Sequence, residues 1–324
     1  MSRAILQHGA RLEWAEVDVD EPGPGEVRIR VVASALNRAD LAQRAGLYPP
    51  PPGASPILGL ECAGFVEVAG DGVADWAPGD PVCALLVGGG FAERVVCPAA
   101  QLLAPPPGIS LVEAATLPEV WATAWSNLVD LAGIAAGRQV LIHAGASGVG
   151  LAALQLSRLR GVRAFALAGT PLRQEVCRQF GAEATADRRG NWADSVRAWA
   201  PGGVSAILDP VGGSAFESNL SLLATDGTLV LIGLLGGPSS SIDLARLLVK
   251  RLTVRGSALR SRTPAEKGRI LQGLSLEVWP AFADGRVIPT VDAALPITEV
   301  ERGMAMLASN QVVGKIALVM PDAA

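Results

Sequence analysis

Over the first third of the chain, apolar and polar residues alternate in short runs. Val27-Arg28-Ile29-Arg30-Val31-Val32 sets apolar side chains against charged ones, the pattern of a half-buried strand. Phe65-Val66-Glu67-Val68 is a second such run, ending in the turn-forming Ala69-Gly70-Asp71-Gly72. Pro78-Gly79-Asp80 turns the chain into Pro81-Val82-Cys83-Ala84-Leu85-Leu86. Many short strands separated by turns predict a partly open β-barrel from Arg3 to about Pro107.

From about Leu117 to Leu259 the rhythm changes. Gln139-Val140-Leu141-Ile142-His143, Ala164-Phe165-Ala166-Leu167-Ala168, Val204-Ser205-Ala206-Ile207-Leu208-Asp209 and Thr228-Leu229-Val230-Leu231-Ile232 are continuous apolar strands with helical stretches between them. Gly181 stands where the helix after the second strand needs a C-cap. Continuous apolar strands alternating with helices predict βαβ units and a doubly wound parallel sheet buried on both faces. After Arg260 the pattern gives a helix (Ala265 to Phe282), a β run after Gly285, a helix (Glu299 to Ser309) and a strand (Lys315 to Val319). We read this tail as returning to complete the first domain. The expected boundaries are 1–119 with 260–324 for the barrel domain and 120–259 for the parallel-sheet domain. No repeat of roughly 20–50 residues marks a solenoid. Pro49-Pro50-Pro51-Pro52 and Pro105-Pro106-Pro107 are short enough to be stiff loops, although a tetraproline also suits an SH3-type groove.

The chemistry starts at the first strand of the parallel sheet. Gly148-Val149-Gly150-Leu151-Ala152-Ala153 has the GxGxxA form, preceded by Gly145 and Ser147, and it follows a strand and opens a helix. Glycines there allow a tight turn and close approach of a pyrophosphate to the helix N-terminus. An NAD site usually carries Asp or Glu at the end of the second strand, about 20 residues on. This chain has Ala168-Gly169-Thr170 there, with Arg173 three residues later and Arg188-Arg189 after the third strand region. Such arginines are either solvated surface charges or a fork for a 2′-phosphate, and the missing acid favours NADPH.

Composition narrows the alternatives. Half of the 324 residues are hydrophobic, 18% are charged and the net charge is −4, so large cores are expected and a nucleic-acid partner is not. No signal-peptide pattern opens the chain and no apolar run reaches the roughly 20 residues of a membrane span, so a cytoplasmic protein is expected. Cys62, Cys83, Cys97 and Cys177 form no CxxC pair, and His8 and His143 have no second ligand nearby. Reduced thiols and no metal are expected, with His143 a core or turn residue. Cys62 and Cys83 lack a nearby base and are not expected to be nucleophiles. Trp121 and Trp125, four apart, read as core packing more readily than as a cleft border.

Several further segments carry a resemblance. Ser34-Ala35-Leu36-Asn37-Arg38-Ala39-Asp40, Gly46-Leu47-Tyr48-Pro49-Pro50-Pro51-Pro52-Gly53, Leu58-Gly59-Leu60-Glu61, His143 to Gly150, Asp209-Pro210-Val211-Gly212-Gly213, Leu259-Arg260-Ser261-Arg262 and Gly314-Lys315-Ile316 recur in order along nearly the whole chain. Together they resemble the zinc-free quinone oxidoreductases of the medium-chain dehydrogenase/reductase superfamily, in the branch that includes the p53-inducible quinone oxidoreductase. The resemblance implies a GroES-like catalytic domain and a Rossmann domain, with NADPH in the cleft between them, and it supports the returning tail. It places Asn37 and Leu60 where zinc-dependent relatives carry a ligating Cys and His. Carried over by position, Gly169, Arg173 and Arg188 would hold the 2′-phosphate. Thr123, Gly145, Ser147, Gly148, Val149 and Gly150 would line the cofactor, as would Val211, Gly233, Leu234 and Leu235. Asn37, Tyr48, Arg260 and Lys315 would approach the nicotinamide and the substrate mouth. Related enzymes are usually dimers paired through edge strands of the cofactor domain, and Thr228 to Leu235 is compatible with such an edge.

The expected reaction is hydride transfer from NADPH to a quinone without metal. Catalysis would then rest on Tyr48, the only tyrosine, bonding the acceptor carbonyl, and on Asn37 fixing geometry. Water supplies the proton more readily than a phenol of ordinary pKa near 10, and a Tyr48 that merely packs on prolines is the plainer alternative. An enone or enoyl reductase uses the same hydride geometry. A non-catalytic NADPH-binding module is the reading outside enzymes.

Overall fold

In the structure, a computed structural model describing residues 2–9 and 11–321, the chain opens with an antiparallel pair, β1 (Ser2–His8) and β2 (Arg11–Val17). The alternating run forms β3 (Glu26–Ala35), whose Val27 and Ile29 are buried while Arg30 is exposed. Helix α1 (Arg38–Arg44) follows, then β4 (Glu61–Ala69), β5 (Pro81–Leu85), β6 (Arg94–Pro98) and β7 (Leu102–Leu103). Helices α2 (Leu111–Ala114) and α3 (Pro118–Trp125) come next, and a π-helical segment, Ser126–Leu131, continues α3.

Strand and helix then alternate: β8 (Gln139–Ile142), α4 (Gly148–Leu159), β9 (Arg163–Ala168), α5 (Pro171–Gln179), β10 (Ala182–Asp187), α6 (Trp192–Trp199), β11 (Val204–Asp209), α7 (Gly213–Leu222), β12 (Leu223–Leu231), α8 (Leu244–Val249) and β13 (Thr253–Gly256). The tail supplies α9 (Pro264–Glu277), α10 (Trp279–Ala283), β14 (Val291–Pro296), α11 (Val300–Ala308) and β15 (Lys315–Val319).

Two units result, Met1–Ala122 with Arg260–Ala324, and Thr123–Leu259. In the first, β15 pairs antiparallel with β3, which brings the tail into a seven-stranded sheet of order β14-β15-β3-β4-β5-β7, with β6 also on β3. Ile29, Cys62, Val82, Leu86 and Leu318 build its core. In the second, six parallel strands run β10-β9-β8-β11-β12-β13. In chain order this is 3-2-1-4-5-6, the doubly wound Rossmann order, whose switch point lies between the first and fourth strands. Leu141, Phe165, Ile207 and Leu229 fill its core, so apolar strands face helices on both sides. The fold is α/β with a Rossmann sheet and a GroES-like unit.

Two sequence expectations need correction. Thr228 to Leu235 does not lie at a sheet edge, because Thr253–Gly256 pairs along β12 and becomes the edge itself. The helix expected from Ala265 to Phe282 is two helices divided at Val278. Pro280 has no N–H to give and its ring excludes the carbonyl of Leu276, so α9 ends and a new helix begins. Trp121 and Trp125 are both buried, and Trp121 packs edge-on against Phe282 at 5.5 Å. Among the described residues no helix is long and apolar enough to cross a membrane.

Candidate functional site

In the Rossmann unit, the loops at the carboxyl ends of β8, β9, β10, β11 and β12 carry nearly every residue expected to hold a cofactor. After β8 the chain turns through Ala144 at φ 50° and reaches Ser147, which caps α4 by accepting the Gly150 N–H on its hydroxyl at 3.1 Å. A Cβ at Gly150 would lie 2.4 Å from the Ala144 carbonyl oxygen, and one at Gly145 would lie 2.8 Å from Ala166 Cβ. Only glycine permits this turn. The first-turn N–H groups of Gly148 and Val149 have no acceptor within the helix. They point outward beside the positive end of the helix dipole, which is a donor set for an anion.

At the end of β9, Gly169 leaves the space that the Arg188 side chain uses; a Cβ there would stand 3.1 Å from Arg188 Nε. Arg188 is exposed and donates its N–H to the Ala168 carbonyl at 3.2 Å. Thr170 caps α5 by accepting the Arg173 N–H at 3.3 Å, which sets Arg173 in the first turn. Arg189, which the sequence reading paired with Arg188 without giving it a separate role, donates to the Gly169 carbonyl and grips Asp187 at 3.0 Å. Asp187 lies beside the end of β9 through its pairing with Ala168, and an arginine holds it. That guanidinium keeps the exposed Asp187 carboxyl below its usual value.

The loops after β11 and β12 are bonded to each other. Leu235 donates to the Pro210 carbonyl at 3.1 Å and Gly236 to that of Val211 at 2.6 Å, which brings Val211 together with Gly233, Leu234 and Leu235. Gly212, at φ 74°, abuts Leu234 so closely that a Cβ would stand 2.9 Å from its Cδ2. Thr123 stands apart from these loops in bonding: its carbonyl accepts the Asn127 amide at 2.6 Å.

The remaining expected residues, Asn37, Tyr48, Arg260 and Lys315, fall in the other unit. Lys315 is buried and its ammonium has three donors, which meet Asn37 Oδ1 at 2.6 Å, the Leu36 carbonyl at 2.7 Å and Glu61 Oε1 at 2.7 Å. The Asn37 amide donates to Glu61 Oε1 at 2.9 Å, and the second Glu61 oxygen accepts the Glu119 N–H at 2.9 Å. Both ends of the Asn37 amide and every Lys315 donor are thus engaged internally. The sequence reading set both side chains towards nicotinamide and substrate; the structure shows the internal partners that hold them. The reason is charge: Glu61 is wholly buried, and a carboxylate there needs a fixed cation.

Burial dominates the neighbouring carboxyls. It lifts Asp40 to about 6 despite N–H bonds from Asn37 and Gly59. It lifts Glu119 to about 8, helped by the charge of Glu61. Arg260 lies over the Tyr48 ring at 5.4 Å and donates to the Tyr48 carbonyl at 3.2 Å and that of Val87 at 2.7 Å. Burial raises the Tyr48 phenol, as does Glu119, while Arg260 works against both. The four cysteines are buried free thiols, with Cys97 and Cys177 each pushed up to about 12 by desolvation.

Comparison with known proteins places this architecture. The family model "Alcohol dehydrogenase GroES-like domain" matches residues 23–107, and "Zinc-binding dehydrogenase" matches residues 148–272. The chain is 33% identical over 314 residues to the synaptic vesicle membrane protein VAT-1 homolog of Rattus norvegicus, covering 92% of this chain and 78% of that one. The chain belongs to the medium-chain dehydrogenase/reductase superfamily. Superfamily likeness extends to phthioceranic/hydroxyphthioceranic acid synthase of Mycobacterium tuberculosis, 34% identical over 306 residues and 93% of this chain. The chain spans only 14% of that synthase's length. Among solved structures, a mycobacterial protein complexed with NADPH superposes with a TM-score of 0.87 at 28% identity, covering 98% of this chain and 100% of that one. A mycobacterial quinone oxidoreductase gives 0.84 at 28% identity with the same coverage. CurK enoyl reductase gives 0.85 at 27%, covering 99% of each chain.

One superfamily member's feature does not fit these residues. Zinc requires clustered Cys, His or carboxylate ligands, and neither Asn37 nor Leu60, where the sequence resemblance set the zinc ligands of relatives, supplies one. Lys315 already places a positive charge against Glu61. Among the described residues no group of three or more His, Cys, Asp or Glu side chains is arranged to hold a metal.

Proposed function

We propose that the protein is an NADPH-dependent, zinc-independent quinone oxidoreductase of the branch that includes the p53-inducible quinone oxidoreductase. The observation that carries the cofactor choice is the end of β9, where Gly169 is flanked by Arg188 and Arg189 and the neighbouring Asp187 is neutralised. A ribose 2′-hydroxyl wants a free acid there, whereas a 2′-phosphate wants guanidinium forks. Gly145, Ser147, Gly148, Val149 and Gly150 would seat the pyrophosphate, and Val211, Gly233, Leu234 and Leu235 would line the loops beyond it. Likeness to the NADPH complex and to the mycobacterial quinone oxidoreductase supports the same choice.

When bound, the reduced nicotinamide supplies a hydride. The Tyr48 phenol is raised above its ordinary value, so it holds its proton at neutral pH and donates a hydrogen bond to the acceptor oxygen. Lys315 and Asn37 act through Glu61: they keep that carboxylate neutralised and out of reach of solvent. Solvent supplies the proton that completes reduction. A homodimer paired through the β13 edge and a cytoplasmic location belong to the same proposal.

Likeness to CurK enoyl reductase, and to a segment of a far larger synthase, favours a second reading, reduction of an enone or enoyl group. The test is NADPH oxidation by the purified protein against 1,2-naphthoquinone, 1,4-benzoquinone and 2-alkenals. Turnover with the quinones supports the first reading, and turnover confined to the alkenals supports the second. Tight NADPH binding without oxidation of any acceptor contradicts both and leaves a non-catalytic binding module.

A further inference from the structure

The glycine turn and the Pro210–Gly212 loop leave β8 and β11, the two strands that flank the switch point of the Rossmann sheet. Three buried polar side chains connect these strand ends. His143 follows β8 and its Nε2 lies 2.8 Å from Asn219 Oδ1; Asn219 lies on α7 and donates through Nδ2 to Asp209 Oδ2 at 2.9 Å. Asp209 ends β11, and its carboxylate accepts the Val211 N–H at 2.6 Å and the Gly212 N–H at 3.2 Å. Asn219 and Asp209 are fully buried and His143 nearly so.

The chain of bonds has one sense. A carboxylate only accepts, so Asn219 must turn its Nδ2 to Asp209 and its Oδ1 to His143. His143 therefore presents Nε2–H to Asn219, and burial holds its pKa below the ordinary value. Trp192 packs edge-on against the imidazole at 5.2 Å and fixes the ring plane. Packing alone would be served by apolar side chains, since three desolvated polar groups are costly unless all are satisfied. Here they are satisfied by fixing two backbone N–H groups of one loop and the residue beside Ala144, which holds φ 50° at the start of the other.

We propose that His143, Asn219 and Asp209 form a positioning relay that locks the Val211 loop to the glycine turn across the switch point and so presets the dinucleotide site. The relay acts through backbone: Asp209 shapes Pro210–Gly212, and that loop carries Leu234 and Leu235 with it through the bonds to Pro210 and Val211. The inference rests on the reading of these loops as the NADPH site.

NADPH binding to wild type, measured by titration calorimetry, comes first; absence of binding there overturns the site reading itself. Given binding, Asn219→Leu and His143→Leu should each weaken NADPH affinity and raise its KM by about tenfold or more, because each strands buried partners. Their kcat at saturating NADPH should stay within about threefold of wild type, since the relay touches no reacting atom. His143→Gln keeps an N–H donor for Asn219 and should recover most of the affinity. The proposal is overturned if the leucine variants bind NADPH as wild type does, or if His143→Gln is as impaired as His143→Leu. Should Asn219→Leu fail to fold, Asn219→Ser, too short to span His143 and Asp209, is judged by the same criteria.

Discussion

Removing the Lys315 ammonium should be the most damaging single change in the GroES-like unit. Lys315 is 3% exposed and Glu61 0%, and their 2.7 Å contact is reinforced by bonds from Lys315 to Asn37 and to the Leu36 carbonyl. Lys315→Met keeps much of the side chain's length but leaves Glu61 as an uncompensated buried carboxylate, with two oxygen acceptors also stranded. Breaking such a pair from one side costs about 3–5 kcal/mol, a large part of the roughly 5–15 kcal/mol that separates folded from unfolded chains. Glu61→Gln in the same chain removes the stranded charge while its amide still serves Asn37 or the Glu119 N–H. The double variant should therefore be more stable than Lys315→Met by about 1–3 kcal/mol, a coupling typical of residues in one network. Urea titration followed by circular dichroism and by tryptophan fluorescence measures both differences, the buried Trp121 and Trp279 reporting on this unit. A loss below about 1 kcal/mol for Lys315→Met, or a double variant no more stable than the single, would refute the role of Lys315 as the internal cation.

Other consequences can be checked separately. Burial lifts Glu119 to about 8, so the folded chain keeps a proton that the unfolded chain releases near the ordinary 4.5. Stability from this group is thus lost as pH rises from the lower value through the upper one. Wild type should fall in Tm relative to Glu119→Gln across that window, and parallel curves would contradict the assignment. Tyr48→Phe should lower quinone turnover by less than about a hundredfold, the lower end of general-acid effects, with NADPH affinity intact; complete inactivity with NADPH still bound would mean that Tyr48 itself delivers the proton. Arg173→Ala with Arg188→Ala should raise KM for NADPH by about tenfold or more while leaving that for NADH, as loss of charge-assisted bonds requires; equal effects on both cofactors would remove the 2′-phosphate from the account.

The parallel sheet was legible because its strands are buried on both faces and read as continuous apolar runs, and because the glycine turn sits between one strand and one helix. The split of the last long helix was also legible in principle, since Pro280 stands inside it. The edge strand was harder: Thr253–Gly256 is four residues long and carries Arg255, so periodicity gives it no signal. The candidate site's backbone was readable where geometry follows local spacing, as at the turn from Gly145 to Gly150. The site was opaque where the partner lies far along the chain. Lys315 and Glu61, or His143 and Asn219, have no local pattern that joins them, and only the sheet order brings them within bonding distance. Asn37 is a case in point, since nothing near it in sequence announces that its amide bonds Glu61 and Lys315. Arg189 was visible in the sequence only as the neighbour of Arg188. Only the turn after β10, which carries its guanidinium back to Gly169, distinguishes it from any exposed arginine.

The most direct test of the central claim is the oxidation rate of NADPH with 1,4-benzoquinone, measured on protein treated exhaustively with a metal chelator, with NADH run in parallel. The account predicts undiminished turnover after chelation and a marked preference for NADPH. Activity that disappears on chelation and returns with Zn²⁺, or a preference for NADH, would contradict it.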